Sequence, residues 1–477
     1  MVAAHQHPDG HADIYDDAHA HADEHADGDP HPNADADSDA NAHGDRHPAV
    51  ADAHGHPDAD GDAHSNADGY RDPDRDANRD AHIPHTATPR PLGGSRQPSL
   101  AVSRQPPVVS GQWSVVSGPK KQESGYPMET LRLLKQLSET PGLAGHEEPV
   151  RALVRDLWTP LVDELQTDGL GSLMGRRRGR GPEPRPTLMF AAHMDEIGLR
   201  VTGIEKGFLR IARVGGADRR ILPGTEVVVH GRRDLPGVVG MRPPHVVPPD
   251  RRDKTLPWEE LFVDVGLPEE EVKAFVRVGD PISFRREAVE LKNGLLAGKA
   301  LDNRVSVAVV TLALEHLARA SHAWDVVAVA TVQEEVGLYG ATTAAYGVAP
   351  DMAVAVDVTF GRQAGVPNHQ TFPLGEGVAI GVGPNFHPAV VERLKAVAEA
   401  NEIPYHIDPV PGRSGTDAWA IQVSREGVPT GLVSIPLRYM HQPVETVSLK
   451  DVERAGRLLA LLAAGLEADF RPRWEDE

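Results

Sequence analysis

Four short apolar stretches of this chain end in the same kind of residue, and that repetition constrains the fold more than any other feature. "TLMFAA" runs into His193 and Asp195, with Glu196 beside them. "DVVAVATVQ" runs into Glu334 and Glu335, "DMAVAV" into Asp357, and "TGLVSIPLRYM" into His441. Continuous β-branched runs of this length suit strands buried on both faces. Helical patterns lie between them. Residues 303–319 carry apolar positions at helical spacing, with Asp302 where an N-cap belongs, and residues 388–402 form another helix. A last helix begins at 449, where Ser448 and Asp451 have the capping-box arrangement. Alternating strands and helices predict an α/β fold, an open sheet flanked by helices.

Between about 201 and 292 the texture changes. "FLRIARVGG", "TEVVVHG", "GVVGM" and "DPISF" are short strand-like pieces separated by Gly, Pro and paired arginines, with helical spacing only around 268–276. This predicts a small β-barrel inserted into the α/β domain. The expected domains are therefore a catalytic α/β domain in two parts, 128–200 and 293–477, with the barrel at 201–292. The arginine-rich "GRRRGRG" at 175–181 reads as a solvated loop.

Residues 1–127 are different material. They hold 14 of the 24 histidines, with 22 acidic and 9 basic residues, a net of −13 out of −21. Residues 5–82 are near-repeats of His, Ala, Asp, Gly, Pro and Asn, too poor in large apolar side chains to offset the entropy of ordering, so a disordered tail is expected. Residues 83–127 read as linker. The tail is a weak metal collector, a solvated segment without a role, or a stretch that is not translated. The third reading is favoured, because "METLRLLKQLSETPGLAGHEEPVR" from Met128 reads as a domain start: an amphipathic helix, a turn and a second helix.

The acidic balance argues against nucleic acid as a partner, since phosphate binding needs a basic surface. No apolar run reaches the roughly 18 residues of a membrane span. The start lacks the apolar core of a secretion signal. With no cysteine, thiolate metal sites and disulfides are excluded. A cytoplasmic protein is the expectation.

In open α/β sheets, ligands bind beyond the carboxyl ends of the strands. Each residue taken singly has a plain alternative. His193 and His441 could be structural, Glu334 and Glu335 a solvated turn, and Asp302 only a helix cap. Asp357 interrupts "MAVAVDVTF", where an unpaired buried carboxylate would need a cation. Together they would require five coincidences on one sheet edge. Two imidazoles with several carboxylates suit zinc, cobalt or manganese in a catalytic site. A carboxylate can bridge two ions about 3.5–4 Å apart, as in many hydrolases. Adjacent Glu334 and Glu335 cannot point the same way from an extended strand end, so one can bind metal while the other handles a proton.

Six ordered motifs, "AAHMDEIGL", "GKALDNRVSVAVV", "TVQEEVGLYGA", "AVDVTF", "SGTDAWAI" and "RYMHQPVE", resemble those of metallopeptidase family forty-two. These are the tetrahedral-type aminopeptidases, which include glutamyl aminopeptidases and proteins once labelled cellulases. The likeness runs from about Met128 to the C-terminus. It implies that His193 and Asp357 bind one divalent ion, that Glu335 and His441 bind a second, and that Asp302 bridges them. It implies Glu334 as general base and Asp195 as the partner that orients His193. It further implies peptide substrates cleaved at the N-terminal residue, two ions per chain with zinc foremost, and a homo-oligomer, with a hollow dodecamer as the form to expect. Trp419 in "TDAWAI" departs from the small or polar residue expected there; it narrows the substrate pocket or packs in the core.

Two other enzyme classes remain. A glycosidase, as the old cellulase label would have it, needs two carboxylates and no metal, which leaves the histidines and Asp357 unexplained. Related dimetal amidohydrolases and carboxypeptidases share the ligand logic but usually carry their extra domain later, whereas here it lies between His193 and Asp302. A non-enzymatic reading is a metal-binding protein built around the tail.

Overall fold

The structure, a computed structural model, describes residues 128–251 and 254–472. The tail and linker predicted for residues 1–127 lie outside them. The expected helix, turn and helix are α1 (Met128–Glu139) and α2 (Glu148–Trp158). Trp158 is fully buried, and its indole N–H donates to Thr311 Oγ1 at 2.9 Å, pinning α2 to α4 (Leu301–Leu317).

An eight-stranded sheet organises the α/β part. Its spatial order is β1 (Glu164–Thr167), β2 (Leu173–Arg177), β12 (Asp325–Thr331), β3 (Thr187–His193), β13 (Met352–Phe360), β16 (Thr430–Leu437), β14 (Val378–Val382) and β15 (Tyr405–Pro409). The four runs singled out in the sequence are the four central strands, β12, β3, β13 and β16, side by side and all parallel. Their carboxyl ends therefore open on one edge. Every residue of β3 and β12 is buried, as strands covered on both faces must be. Antiparallel pairs appear only toward the flanks, at β1–β2, β2–β12 and β14–β16, which makes the sheet mixed.

Two helix groups cover it. One joins α1, α2, α4, α6 (Pro388–Ala400) and α8 (Leu449–Ala464); the other pairs α5 (Tyr339–Val348) with α7 (Asp417–Gln422). Helix α4 is apolar on nearly all sides and correspondingly buried on nearly all sides.

Between β3 and α4 the chain forms a closed six-stranded barrel, β4-β5-β8-β7-β6-β9. Its strands are β4 (Gly198–Glu205), β5 (Phe208–Val214), β6 (Glu226–His230), β7 (Asp234–Met241), β8 (Leu261–Asp264) and β9 (Pro281–Phe284), with α3 (Glu269–Phe275) packed on it. The barrel has an apolar core of its own around Leu199, Val227, Leu261 and Ile282. A separate three-stranded sheet joins β10 (Val289–Leu291), β11 (Leu295–Gly298) and β17 (Glu445–Ser448).

Three local expectations give way to long-range contacts. Asp302 is no N-cap: it lies inside the first turn of α4 with non-helical φ −78° and ψ 102°. Ser448 makes no side-chain cap, and Asp451 instead accepts the backbone N–H groups of Gly375 and Gly377. The arginine run is not a free loop. Gly175–Arg177 belong to β2, Arg176 pairs with Asp325 at 3.1 Å, and Arg178 pairs with Glu164. Trp419 packs against the main core, with the Arg413 guanidinium 5.2 Å from its ring centre.

Candidate metal centre

The seven residues expected to form the site, His193, Asp195, Asp302, Glu334, Glu335, Asp357 and His441, meet at the carboxyl edge of the four central strands. His193 closes β3. Asp357 stands level with it on β13, two residues beyond the Ala355–Ala191 rung. Asp302 enters from the start of α4, Glu334 and Glu335 from the bend after β12, and His441 from the bend after β16.

Asp302 is the centre of the arrangement. Its Oδ1 lies 3.2 Å from His193 Nε2 and its Oδ2 lies 3.4 Å from His441 Nε2. The side chains fall into two groups that share it: His193, Asp302 and Asp357, then Asp302, Glu335 and His441, with ligand atoms in each group within 4.8 Å of one another. Glu335 Oε2 is 3.7 Å from His441 Nε2, whereas Glu334 Oε2 is 3.7 Å from His193 Nε2. The adjacent glutamates thus face different imidazoles.

Electrostatics bear on whether these residues fit cations. Burial pushes Asp357 and Glu334 well above the usual carboxylate range, and neighbouring carboxylates push the same way. Glu335 rises to about 7 by burial, with His441 opposing and Asp302 adding to the rise. Burial also raises Asp302, but the two imidazoles outweigh it and hold its carboxyl below the ordinary value. Burial lowers His441, yet Glu335 and Asp302 carry it up to about 10. Burial likewise lowers His193, and Glu334, Asp195 and Asp302 drive it well up. Carboxylate charge exceeds what two imidazoles can balance in a buried site. That donor set, all oxygen and imidazole nitrogen, fits a pair of divalent ions.

Among the supporting residues, Asp195 was singled out from the sequence, whereas Glu147 and Asp417 were not. Asp195, fully buried, stands 3.5 Å from His193 Nδ1. Its two oxygens also accept the backbone N–H groups of Glu334 and Glu335, each at 3.1 Å. Glu147 accepts the Gln333 N–H at 3.2 Å and the Gly145 N–H at 2.7 Å, tying the turn after α1 to the glutamate bend. Glu196 turns away from the centre. It accepts from Lys299 Nζ at 2.6 Å and from the Gly142 N–H at 2.8 Å, with Arg304 at 3.7 Å. Asp417, raised to about 6 by burial, accepts the Thr331 hydroxyl at 2.5 Å.

The barrel reaches the centre through Gly215 and Gly216, just after β5. A Cβ on Gly215 would lie 3.1 Å from Glu335 Oε2, and one on Gly216 would lie 2.6 Å from His441 Cε1. Only glycine lets this backbone lie against those two side chains.

Parallel strands whose carboxyl ends converge on one shared aspartate, two imidazoles and paired glutamates define a dinuclear metallohydrolase. Residues 171–458 match the M42 glutamyl aminopeptidase family, and the chain belongs to that family. The lysyl aminopeptidase of Pyrococcus furiosus is 36% identical over 360 residues, spanning 72% of this chain and 100% of that protein. The solved aminopeptidase APDkam598 from the archaeon Desulfurococcus kamchatkensis shares 41% identity at a TM-score of 0.67, over 72% of this chain and 96% of that one. The TET1 peptidase of Pyrococcus horikoshii, described as assembling into a tetrahedron or a large octahedral shell, shares 32% identity at a TM-score of 0.63, over 71% of this chain and 100% of that one. The protein is an aminopeptidase, a hydrolase that removes N-terminal residues from peptides. Among the described residues no helix is long and apolar enough to cross a membrane.

Proposed function

We propose that this aminopeptidase works with His193 and Asp357 holding one divalent ion, Glu335 and His441 holding a second, and Asp302 shared between them. The observation that carries the reading is the placement of Asp302, whose two oxygens face two different Nε2 atoms at 3.2 and 3.4 Å. The ion pair, when bound, supplies Lewis acidity that lets water ionise near neutral pH and that stabilises the oxyanion of the cleaved amide.

The remaining work falls to the chain. Glu334 is the general base. It takes the proton of the water that attacks the carbonyl carbon, then delivers it to the amine nitrogen as the C–N bond breaks. Desolvation raises its basicity, which suits a group that must accept and return a proton. Asp195 holds the bend that presents both glutamates and lies behind the His193 ring. The substrate's free α-amine docks in the same carboxylate-rich floor, which limits cleavage to the first residue.

Zinc is the proposed metal, with cobalt or manganese the alternatives for the same oxygen and nitrogen donors. We place the enzyme in the cytoplasm as a homo-oligomer acting on peptides, with the dodecamer as its proposed form; a solved TET1 relative described as a dodecamer supports that reading. A metal-titrated panel of aminoacyl chromogenic substrates tests the function. Hydrolysis should require added metal, cease in chelator, and spare N-acetylated versions of the same substrates. Equal cleavage of acetylated and free substrates, or full activity in chelator, would reject it.

A further inference from the structure

Two of the proposed ligands have backbone conformations that their own secondary structure does not hold. His441 lies in the bend between β16 and β17 with φ +60°, a left-handed backbone that a residue bearing a side chain keeps only where its surroundings demand it. Asp302 has left the helical path of α4, and N–H groups in a first helical turn have no intrahelical partner. Both N–H groups end on one side chain. Glu445 Oε1 accepts from His441 N–H at 2.9 Å, and Glu445 Oε2 accepts from Asp302 N–H at 2.9 Å.

Glu445 is well placed to do this. It is the first residue of β17 and only 2% exposed. Across the small sheet it pairs with Gly298, the last residue of β11, and the chain turns at Ala300 to reach Asp302. On its other side, Arg438 and Thr446 exchange backbone hydrogen bonds at 3.0 Å and close the bend that carries His441. The side chain thus stands between two segments 139 residues apart in sequence, Asp302 and His441, and grips each by its backbone. Asp195 does the same for Glu334 and Glu335 across the site.

We propose that Glu445 is a positioning residue that sets the spacing between Asp302 and His441 and so builds the Asp302–Glu335–His441 half of the centre. This rests on the ligand assignment given above. Glu445 acts through the backbone of two ligands. A carboxylate is the side chain that suits the task, because it offers two acceptor oxygens and no donor. An amide offers one acceptor and turns a donor toward the other N–H.

The test uses the full chain, stripped of metal and titrated with zinc against a chromophoric chelator. Wild type, Glu445→Gln and Glu445→Asp are compared, and kcat and KM are read at limiting and excess zinc. Wild type should take up two ions. In Glu445→Gln one ion should bind about 10–100-fold more weakly. The other, held mainly by His193 and Asp357 from β3 and β13, should change less. Activity should fall at limiting zinc and return in excess, with KM little altered once the centre is loaded. Glu445→Asp keeps the charge on a shorter stem that cannot span both N–H groups, and should show the same split. Two ions bound at wild-type affinity in both variants would overturn the proposal. So would equal weakening of both ions with a lower melting temperature of the metal-free protein, or failure of both variants to fold, since Glu445 would then serve the core alone. Wild type that never takes up two ions would instead reject the ligand assignment.

Discussion

Gly216→Ala should cripple catalysis while leaving the fold intact. Gly216 belongs to the barrel, outside the sheet that carries the proposed ligands. A Cβ there would stand 2.6 Å from His441 Cε1 and nearer still to Nδ1. Ordinary carbon contact needs about 3.5 Å, so the ring or the barrel loop must yield by about 1 Å. A free imidazole could swing aside, but one held as a proposed metal ligand and gripped at its backbone by Glu445 has little room to do so. A misplacement of about 1 Å in a catalytic geometry costs on the order of 10²-fold. The assay is kcat on a chromogenic aminoacyl substrate, with metal content and thermal melting measured on the same preparation. Gly347→Ala is the control: it sits in α5 with nothing near a new Cβ, and alanine there should gain about 0.5–1 kcal/mol of helix stability. The expected result is kcat down about 10²-fold in Gly216→Ala with an unchanged melting curve, and full activity in Gly347→Ala. Wild-type kcat and metal content in Gly216→Ala would refute the reasoning.

The paired glutamates separate by the same kind of measurement. Glu334→Gln should keep both ions and lose about 10²–10⁴-fold in kcat, because the amide cannot take the proton. Glu335→Gln should weaken metal binding first; the reverse pattern would mean their roles are exchanged. A chain beginning at Met128 should fold and hydrolyse substrate like the whole, since residues 5–82 are too poor in large apolar side chains to add to a core. A large loss of activity on that truncation would give the N-terminal segment a role.

The central strands were legible because burial on both faces forces an unbroken apolar run, and a histidine or carboxylate at its end stands out. The barrel was legible from short runs punctuated by glycine and proline. What escaped the sequence were side chains whose partners are far along the chain. Glu445 is an ordinary glutamate four residues after His441 until β11 brings Asp302 to it. Glu196, quoted beside Asp195 from the start, serves Lys299 and Gly142 instead of the centre. The Ser448 and Asp451 pattern reads as a capping box, yet Ser448 makes no side-chain cap and Asp451 turns to the N–H groups of Gly375 and Gly377, far from it in sequence. Asp302 looks like a cap for the same reason: local spacing says nothing of the imidazoles on either side of it. Gly215 and Gly216 stand in the sequence only as the end of the strand-like piece "FLRIARVGG", and their closeness to Glu335 and His441 follows from the folded barrel alone.

The central claim is that one carboxylate holds two metal ions. Elemental analysis of wild type and Asp302→Asn, each saturated with zinc and freed of excess, tests it most directly. Two ions per chain in wild type and loss of the pair together in Asp302→Asn are predicted, with circular dichroism showing the same fold. Two ions still bound in Asp302→Asn, or a single ion in fully active wild type, would contradict it.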